Sequence, residues 1–128
     1  MKILTKDQIL NAQDIEMQEV DVPEWGGPVR LKTATARDRD NLDRILFPKP
    51  GVRNLDHFRA RVVAMCVVDE AGNKIFTDED VPLLSEKSAT AIDRLFPTAQ
   101  RLSGFSTAEV GEIAKNLLTS PGEDSHSD

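Results

Sequence analysis

Residues 55–68 constrain the fold more than any other segment, because they are apolar nearly all the way round. Leu55, Phe58, Val62, Met65 and Cys66 recur at helical spacing, and Val63, Ala64 and Val67 fill the opposite side. A helix without a polar face is a core helix, so the rest of the chain must wrap it. Its β-branched end, Val67-Val68, favours extended backbone and predicts that the helix stops early. Asp69-Glu70-Ala71-Gly72-Asn73 then reads as a turn, and Lys74-Ile75-Phe76 as a short extended piece.

The wrapping elements announce themselves at their starts. Thr5 and Gln8, Thr35 and Asp38, Thr77 and Asp80, and Ser106 and Glu109 each have the spacing of a capping box, in which side chain and backbone at positions i and i+3 satisfy each other. The first predicts a short helix seated on the core by Ile9 and Leu10. The second opens a charged helix from Ala36 to about Phe47, with Leu42, Ile45 and Leu46 as its apolar positions. The third opens a short helix with Pro82 near its start, where proline is tolerated. The fourth opens a last helix bearing Val110, Ile113, Ala114, Leu117 and Leu118. Ser85 is the expected cap of the longest helix, whose stripe is Ala89, Ile92, Leu95, Phe96, Ala99 and Leu102. Pro97 falls inside that stripe. It removes a backbone hydrogen bond at a cost of about 3 kcal/mol, so a kink or a break is expected there. Gly104 suits the stop.

Between the first two helices the period changes to two. Ile15 and Met17 alternate with acids, and Val20 and Val22 continue in the opposite phase, which predicts a bulge near Gln18-Glu19. Pro23-Glu24-Trp25-Gly26-Gly27-Pro28 is a turn cluster, and Val29, Leu31 and Thr33 resume the alternation with Arg30 and Lys32. The pattern is an antiparallel hairpin with acids on the first strand facing bases on the second. Two strands alone are marginal, so their apolar face must pack on something. The expected fold is mainly α: a small helical domain over residues 1–118 with an N-terminal β-hairpin, followed by a disordered acidic tail over 119–128. Residues 120–128 contain no apolar side chain, and their three acids carry half of the net charge of -6.

Composition narrows function mainly by exclusion. With 22 acidic and 16 basic residues the chain has no basic surplus for neutralising phosphates. No apolar run approaches the roughly 18–20 residues of a membrane span, and the N-terminus lacks a signal-peptide core. A single cysteine makes neither an intrachain disulfide nor a cysteine-based zinc site, and histidine is limited to His57 and His126. A cytoplasmic protein follows.

The chemical motifs are weak. An EF-hand loop begun at Asp69 would need an oxygen ligand at its third position and glycine at its sixth, where Ala71 and Lys74 stand. Cys66 is expected to be a buried structural thiol, and His57 is about 2.5 turns away from it. Gly26-Gly27 lacks the spacing of a phosphate-binding loop. The arginines at 37, 39 and 44, and at 53, 59 and 61, are expected to pair with the many acids. Nothing here calls for an enzyme, a cofactor or a metal. Apolar side chains placed to meet a partner are the better candidates: Trp25 at the hairpin tip, and the stripe Val110, Ile113, Leu117 and Leu118 near the chain end. Each either closes the core or binds another protein.

The run from His57 through Ala60-Arg61-Val62-Val63-Ala64-Met65-Cys66-Val67-Val68-Asp69-Glu70-Ala71-Gly72-Asn73-Lys74-Ile75-Phe76, continuing to Ala91-Ile92-Asp93-Arg94-Leu95-Phe96 and Ala99-Gln100-Arg101-Leu102-Ser103-Gly104, resembles the tail assembly chaperones of long-tailed (siphovirus-type) bacteriophages. So do Ile9-Leu10-Asn11-Ala12-Gln13-Asp14, Glu19-Val20-Asp21-Val22-Pro23-Glu24-Trp25-Gly26 and Val29-Arg30-Leu31-Lys32-Thr33. The likeness covers most of residues 3–118. It implies a mainly helical, non-enzymatic protein of the host bacterial cytoplasm that forms a homo-oligomer and is absent from the finished virion. It also implies binding to the tape-measure protein until tail tube subunits polymerise around it. A frameshifted longer form would recruit the tail tube protein, and the acidic tail fits the unextended form. The resemblance prefers a continuous helix where Pro97 stands. Rival readings are a small phage-encoded regulator that binds DNA through residues 53–61, and a small hydrolase using an acid pair.

Overall fold

A computed structural model describes residues 2–118, except the side chains of Thr107, Ala114 and residues 116–118 in the last helix. The helices are α1 (Lys6–Leu10), α2 (Ala36–Leu46), α3 (Phe58–Cys66), α4 (Val81–Ser85), α5 (Ala89–Ser103) and α6 (Thr107–Leu118). The strands are β1 (Met17–Val22), β2 (Gly27–Lys32) and β3 (Val67–Val68). The chain is mainly helical with a small antiparallel sheet near its N-terminus, as the sequence pattern predicts. The acidic tail over 119–128 lies outside the described residues.

The core helix α3 starts at Phe58 rather than Leu55 and ends at Cys66, where the β-branched pair takes over. Val67 and Val68 become the third strand, pairing with Leu31 and Arg30 of β2. The hairpin therefore gains an inner neighbour, and the sheet order is β1-β2-β3. Its apolar face carries Leu31 and Val22, both fully buried, beside α3 and α5. A buried cluster of Val62, Val63, Cys66, Leu46, Leu84, Ala91, Leu95 and Ala99 continues from there.

The predicted bulge is absent. β1 and β2 pair without interruption from Met17↔Lys32 to Val22↔Gly27. The change of phase marks a change of face instead. Val20 and Val22 point to the core, whereas Met17 lies on the outer face over the turn after β3. A Cβ added at Gly72 would sit 2.9 Å from the Met17 methyl, and Gly72 has a φ of +88°. That turn is shaped by Asp69, whose Oδ1 accepts the N–H groups of Ala71 and Asn73 at 2.9 Å. Across the hairpin Arg30 pairs with Glu19 at 2.6 Å, the expected acid–base contact.

All four capping boxes form, at Thr5, Thr35, Thr77 and Ser106. Other expectations are corrected. Helix α1 buries nothing, and Ile9 and Leu10 face solvent, so they do not seat it on the core. The cap of α5 is Ser88, which accepts the Ala91 N–H, because Ser85 is already the last residue of α4. Helix α5 runs unbroken through Pro97. Pro97 and Asp93 both lie on the exposed side, so the Asp93 carbonyl that loses its donor can turn to water.

Helix α5 lies alongside β1 in the opposite direction. Arg94 near its start holds Glu24 of the hairpin tip at 2.7 Å, and Arg101 near its end holds Glu16 at 3.2 Å. Beyond β2, the Ala34 N–H donates to the Leu102 carbonyl at 2.9 Å. Helix α2 is tied to the same region. Its Arg39 guanidinium stacks 3.9 Å over the Phe105 ring and donates to the Ser103 carbonyl at 2.8 Å. Burial raises the pKa of Asp38 on α2, but hydrogen bonds from Lys74 and Thr35 outweigh it and leave the carboxyl below its ordinary value.

Candidate functional site

The hairpin tip carries the first candidate surface. Pro23–Trp25 makes one tight helical turn, ended by Gly26 at a φ of +83°, where a left-handed residue is needed to re-enter β2. Arg94 clamps the tip to α5, and its hydrogen bond to Glu24 holds that carboxyl below its ordinary value. Trp25 is thereby half-buried against the core. Its remaining surface lines a groove of about 380 Å³ with Ile75, Phe76, Leu83 and Leu84, flanked by Asp80 and Lys87. Ile75 is 50% exposed and Leu83 is 68% exposed, so the groove is apolar and open.

The last helix carries the second. Val110 and Ile113 are half-buried and pack on the core. They also line a groove of about 330 Å³ with Phe58, Phe96 and Pro97, whose polar edge is the Arg59–Asp93 ion pair at 3.6 Å. Phe58 meets the rings of Phe96 and Phe105 edge-on, at centroid distances of 6.1 and 5.9 Å, which gives this groove a rigid floor. The stripe thus does two things: it closes the core and leaves an apolar cleft beside it. The Leu117 and Leu118 side chains lie outside the described residues.

Trp25 and the α6 stripe do not share a groove. A hollow lined by Leu55, His57, Ser85 and Ile92 lies between the two, sharing Lys87 with the first and Phe58, Arg59 and Asp93 with the second. The surfaces form one band round the α3–α4–α5 side. The sequence reading missed Ile75, Phe76 and Leu83. The adjacent Leu83-Leu84 pair was the available signal, since a short helix that packs by one face turns neighbouring side chains in different directions.

The chemical candidates behave as structural groups. Burial pushes the Cys66 thiol up to about 12, and its Sγ lies 3.7 Å from the Ala99 carbonyl. A thiolate is the reactive form, so a disulfide reagent such as DTNB is expected to leave the native protein unlabelled for hours and to titrate the thiol at once in denaturant. Rapid labelling of the native protein would contradict this burial. His57 adopts a φ of +59°, and its Nδ1 lies 2.7 Å from Ser85 Oγ, which ties the start of α3 to the end of α4. Among the described residues no carboxylate is hydrogen-bonded to the ring, so the orienting third group of a serine nucleophile is missing. The arginines mostly do not pair with acids as expected. Arg59 does, but Arg61 donates to the Asp56 carbonyl, Arg44 to the Asn41 side chain, and Arg39 to a helix-terminal carbonyl.

No protein-family profile and no curated relative matches the sequence. Among solved structures the chain is similar to the tail assembly chaperone of bacteriophage HK97. The TM-score is 0.55 at 19% identity, over 78% of this chain and 94% of that one. The arrangement of hairpin, core helix and wrapping helices is therefore a fold shared with the bacteriophage HK97 tail assembly chaperone.

Proposed function

We propose that this chain is a phage tail assembly chaperone that self-associates and covers the tape-measure protein in the host bacterial cytoplasm. The observation that carries the proposal is the fold shared with the HK97 chaperone over nearly all of that chain. The apolar band from Trp25 to Ile113 supports it, because such surface on a small chain is suited to contact with another protein. A tape-measure protein is a long helical chain, and its apolar faces need cover. A net-negative partner keeps the complex dispersed, and tail tube subunits then displace it by competition. The proposed role requires neither a reaction nor a cofactor. A frameshifted longer form would supply the contact to the tail tube protein.

In this proposal the groove lined by Val110 and Ile113 receives the helical client, and Leu117 and Leu118 of the sequence stripe are proposed as further contacts. Replacing Ile113 and Leu117 by Asp is expected to weaken capture of the client by at least about tenfold, while circular dichroism still shows a folded protein. Unchanged capture by a folded variant would remove α6 from the binding surface. Of the arginines at 53, 59 and 61 that the DNA-regulator reading would use, Arg59 and Arg61 are engaged within the fold, which speaks for the chaperone over that reading.

A further inference from the structure

A basic trough crosses one face of this acidic chain. Two adjoining hollows of about 380 and 440 Å³ lie between α2 and the 72–78 segment, and they share Asp38, Met65 and Lys74. Their cationic side chains are Lys32, Arg37, Arg44, Arg61 and Lys74, against two acids, Asp38 and Asp78. Leu42, Ile45, Met65 and Phe76 supply apolar walls. Both lysines are engaged within the fold: Lys74 pairs with Asp38, and Lys32 donates to the Gly72 carbonyl at 3.1 Å. The arginines keep most of their donors. Among the described residues none of the three is in an ion pair, Arg44 donates to the Asn41 side chain, and Arg61 gives only its Nε to the Asp56 carbonyl. Arg37 and Arg44 are seven residues apart on α2, about two turns, so they stand on one face of it. Three guanidinium groups gathered along one trough raise the local positive potential on a chain whose net charge is -6, and they call for an anionic cover.

Residues 119–128, outside the described part, have the chemistry of that cover. They carry Glu123, Asp124 and Asp128 and no lysine or arginine, three acids for the three arginines. Place and reach agree with the charge. The preceding helix α6 packs by Ile113 beside Phe58 and Arg59, and Arg61 lies within one turn of those residues on α3. Ten extended residues span about 33 Å, and a domain of this size has a radius of gyration of about 13 Å, so the segment is long enough to pass from one side of α3 to the other. We propose that residues 119–128 lie in the trough of their own molecule, with their carboxylates on Arg37, Arg44 and Arg61. Guanidinium and carboxylate groups match each other as paired donors and acceptors, which favours acids over other anions there. So placed, the segment is a built-in competitor: an acidic stretch of another protein enters the trough only by displacing it. The trough is separate from the groove proposed for the helical client, and the inference does not depend on that groove.

The test uses the full chain throughout, with a fluorescein-labelled peptide of residues 119–128 as the probe. One variant neutralises the attached segment, Glu123→Gln/Asp124→Asn/Asp128→Asn, and a second adds Arg44→Gln/Arg61→Gln to it. An attached segment acts at an effective concentration in the millimolar range, so the natural chain is expected to take up the peptide weakly. The neutralised chain is expected to bind it at least about tenfold more tightly, and to lose that gain when the two arginines are replaced or when salt is raised to about 0.5 M. A comparison of the natural and neutralised chains by NMR needs no change in the trough. Amide signals near Arg37, Arg44 and Arg61 are expected to shift between the two, and by the same amount at low and high protein concentration, as a contact within one molecule requires. Equal uptake of the peptide by the two chains would overturn the proposal. So would NMR shifts that appear only at high concentration, because the segment would then lie on a neighbouring molecule. A short single-stranded oligonucleotide that binds both chains equally through the same arginines would overturn it too, because the trough would then stand open to nucleic acid.

Discussion

Leu95→Ala is expected to destabilise the protein by about 3–4 kcal/mol, a third or more of the stability of an ordinary domain. Leu95 is fully buried on α5, facing the cluster that α3 and the sheet build with Leu31, Val62, Val63 and Cys66. Helix α3 buries Phe58, Ala60, Val62, Val63, Ala64 and Cys66, so the residues around Leu95 are held from several sides and relax only partly into the vacated space. The loss then includes a cavity as well as the lost transfer energy. Urea unfolding followed by circular dichroism measures it, and the thermal midpoint is expected to drop by roughly 10–15 °C. Leu83→Ala, at a 68% exposed position, is the control and is expected to change stability by less than about 0.5 kcal/mol. Equal costs for the two leucines would contradict the placement of α5 and α4.

Arg39→Met is expected to cost about 2 kcal/mol. The replacement keeps an unbranched apolar stem but loses three interactions at once: the stack on Phe105, the hydrogen bond to the Ser103 carbonyl, and a positive charge at the C-terminal end of α5. Against these stands a partial gain, because the Arg39 Nε is buried without a partner and its removal ends that penalty. Arg39→Lys is expected to recover less than half of the loss, since an ammonium keeps the charge but not the planar stack. Full recovery by lysine would mean that charge alone holds α2 to the α5–α6 corner.

What could be read from the sequence follows from the range of each interaction. Capping boxes join positions three apart, so Thr35 with Asp38 and Ser106 with Glu109 specify their helices before any tertiary contact forms. The early end of α3 was legible for the same reason, in Val67-Val68. What those two valines do there was not, because pairing with Arg30 and Leu31 is a contact across the chain. The phase change in β1 was visible but misread as a bulge, since the cover over Met17 comes from the distant turn at Gly72. Ser85 and Ser88 present the same local signal, and the preceding helix α4 decides between them. Ile9 and Leu10 look like core residues in any window, and the fold provides no core beneath them. Of the candidate surfaces, Trp25 and the α6 residues Val110 and Ile113 were legible as apolar groups near a turn and on a late helix. Their separation into two grooves, and the Ile75, Phe76 and Leu83 walls, depend on how α4 packs beside the hairpin tip.

The most direct test of the chaperone role is to co-express the chain with the long helical protein encoded beside it, and to pass the soluble fraction through size exclusion with light scattering. The account predicts a soluble complex with several copies of this chain on each client. A chain that elutes alone while the client precipitates, as it does without the chain, would contradict it.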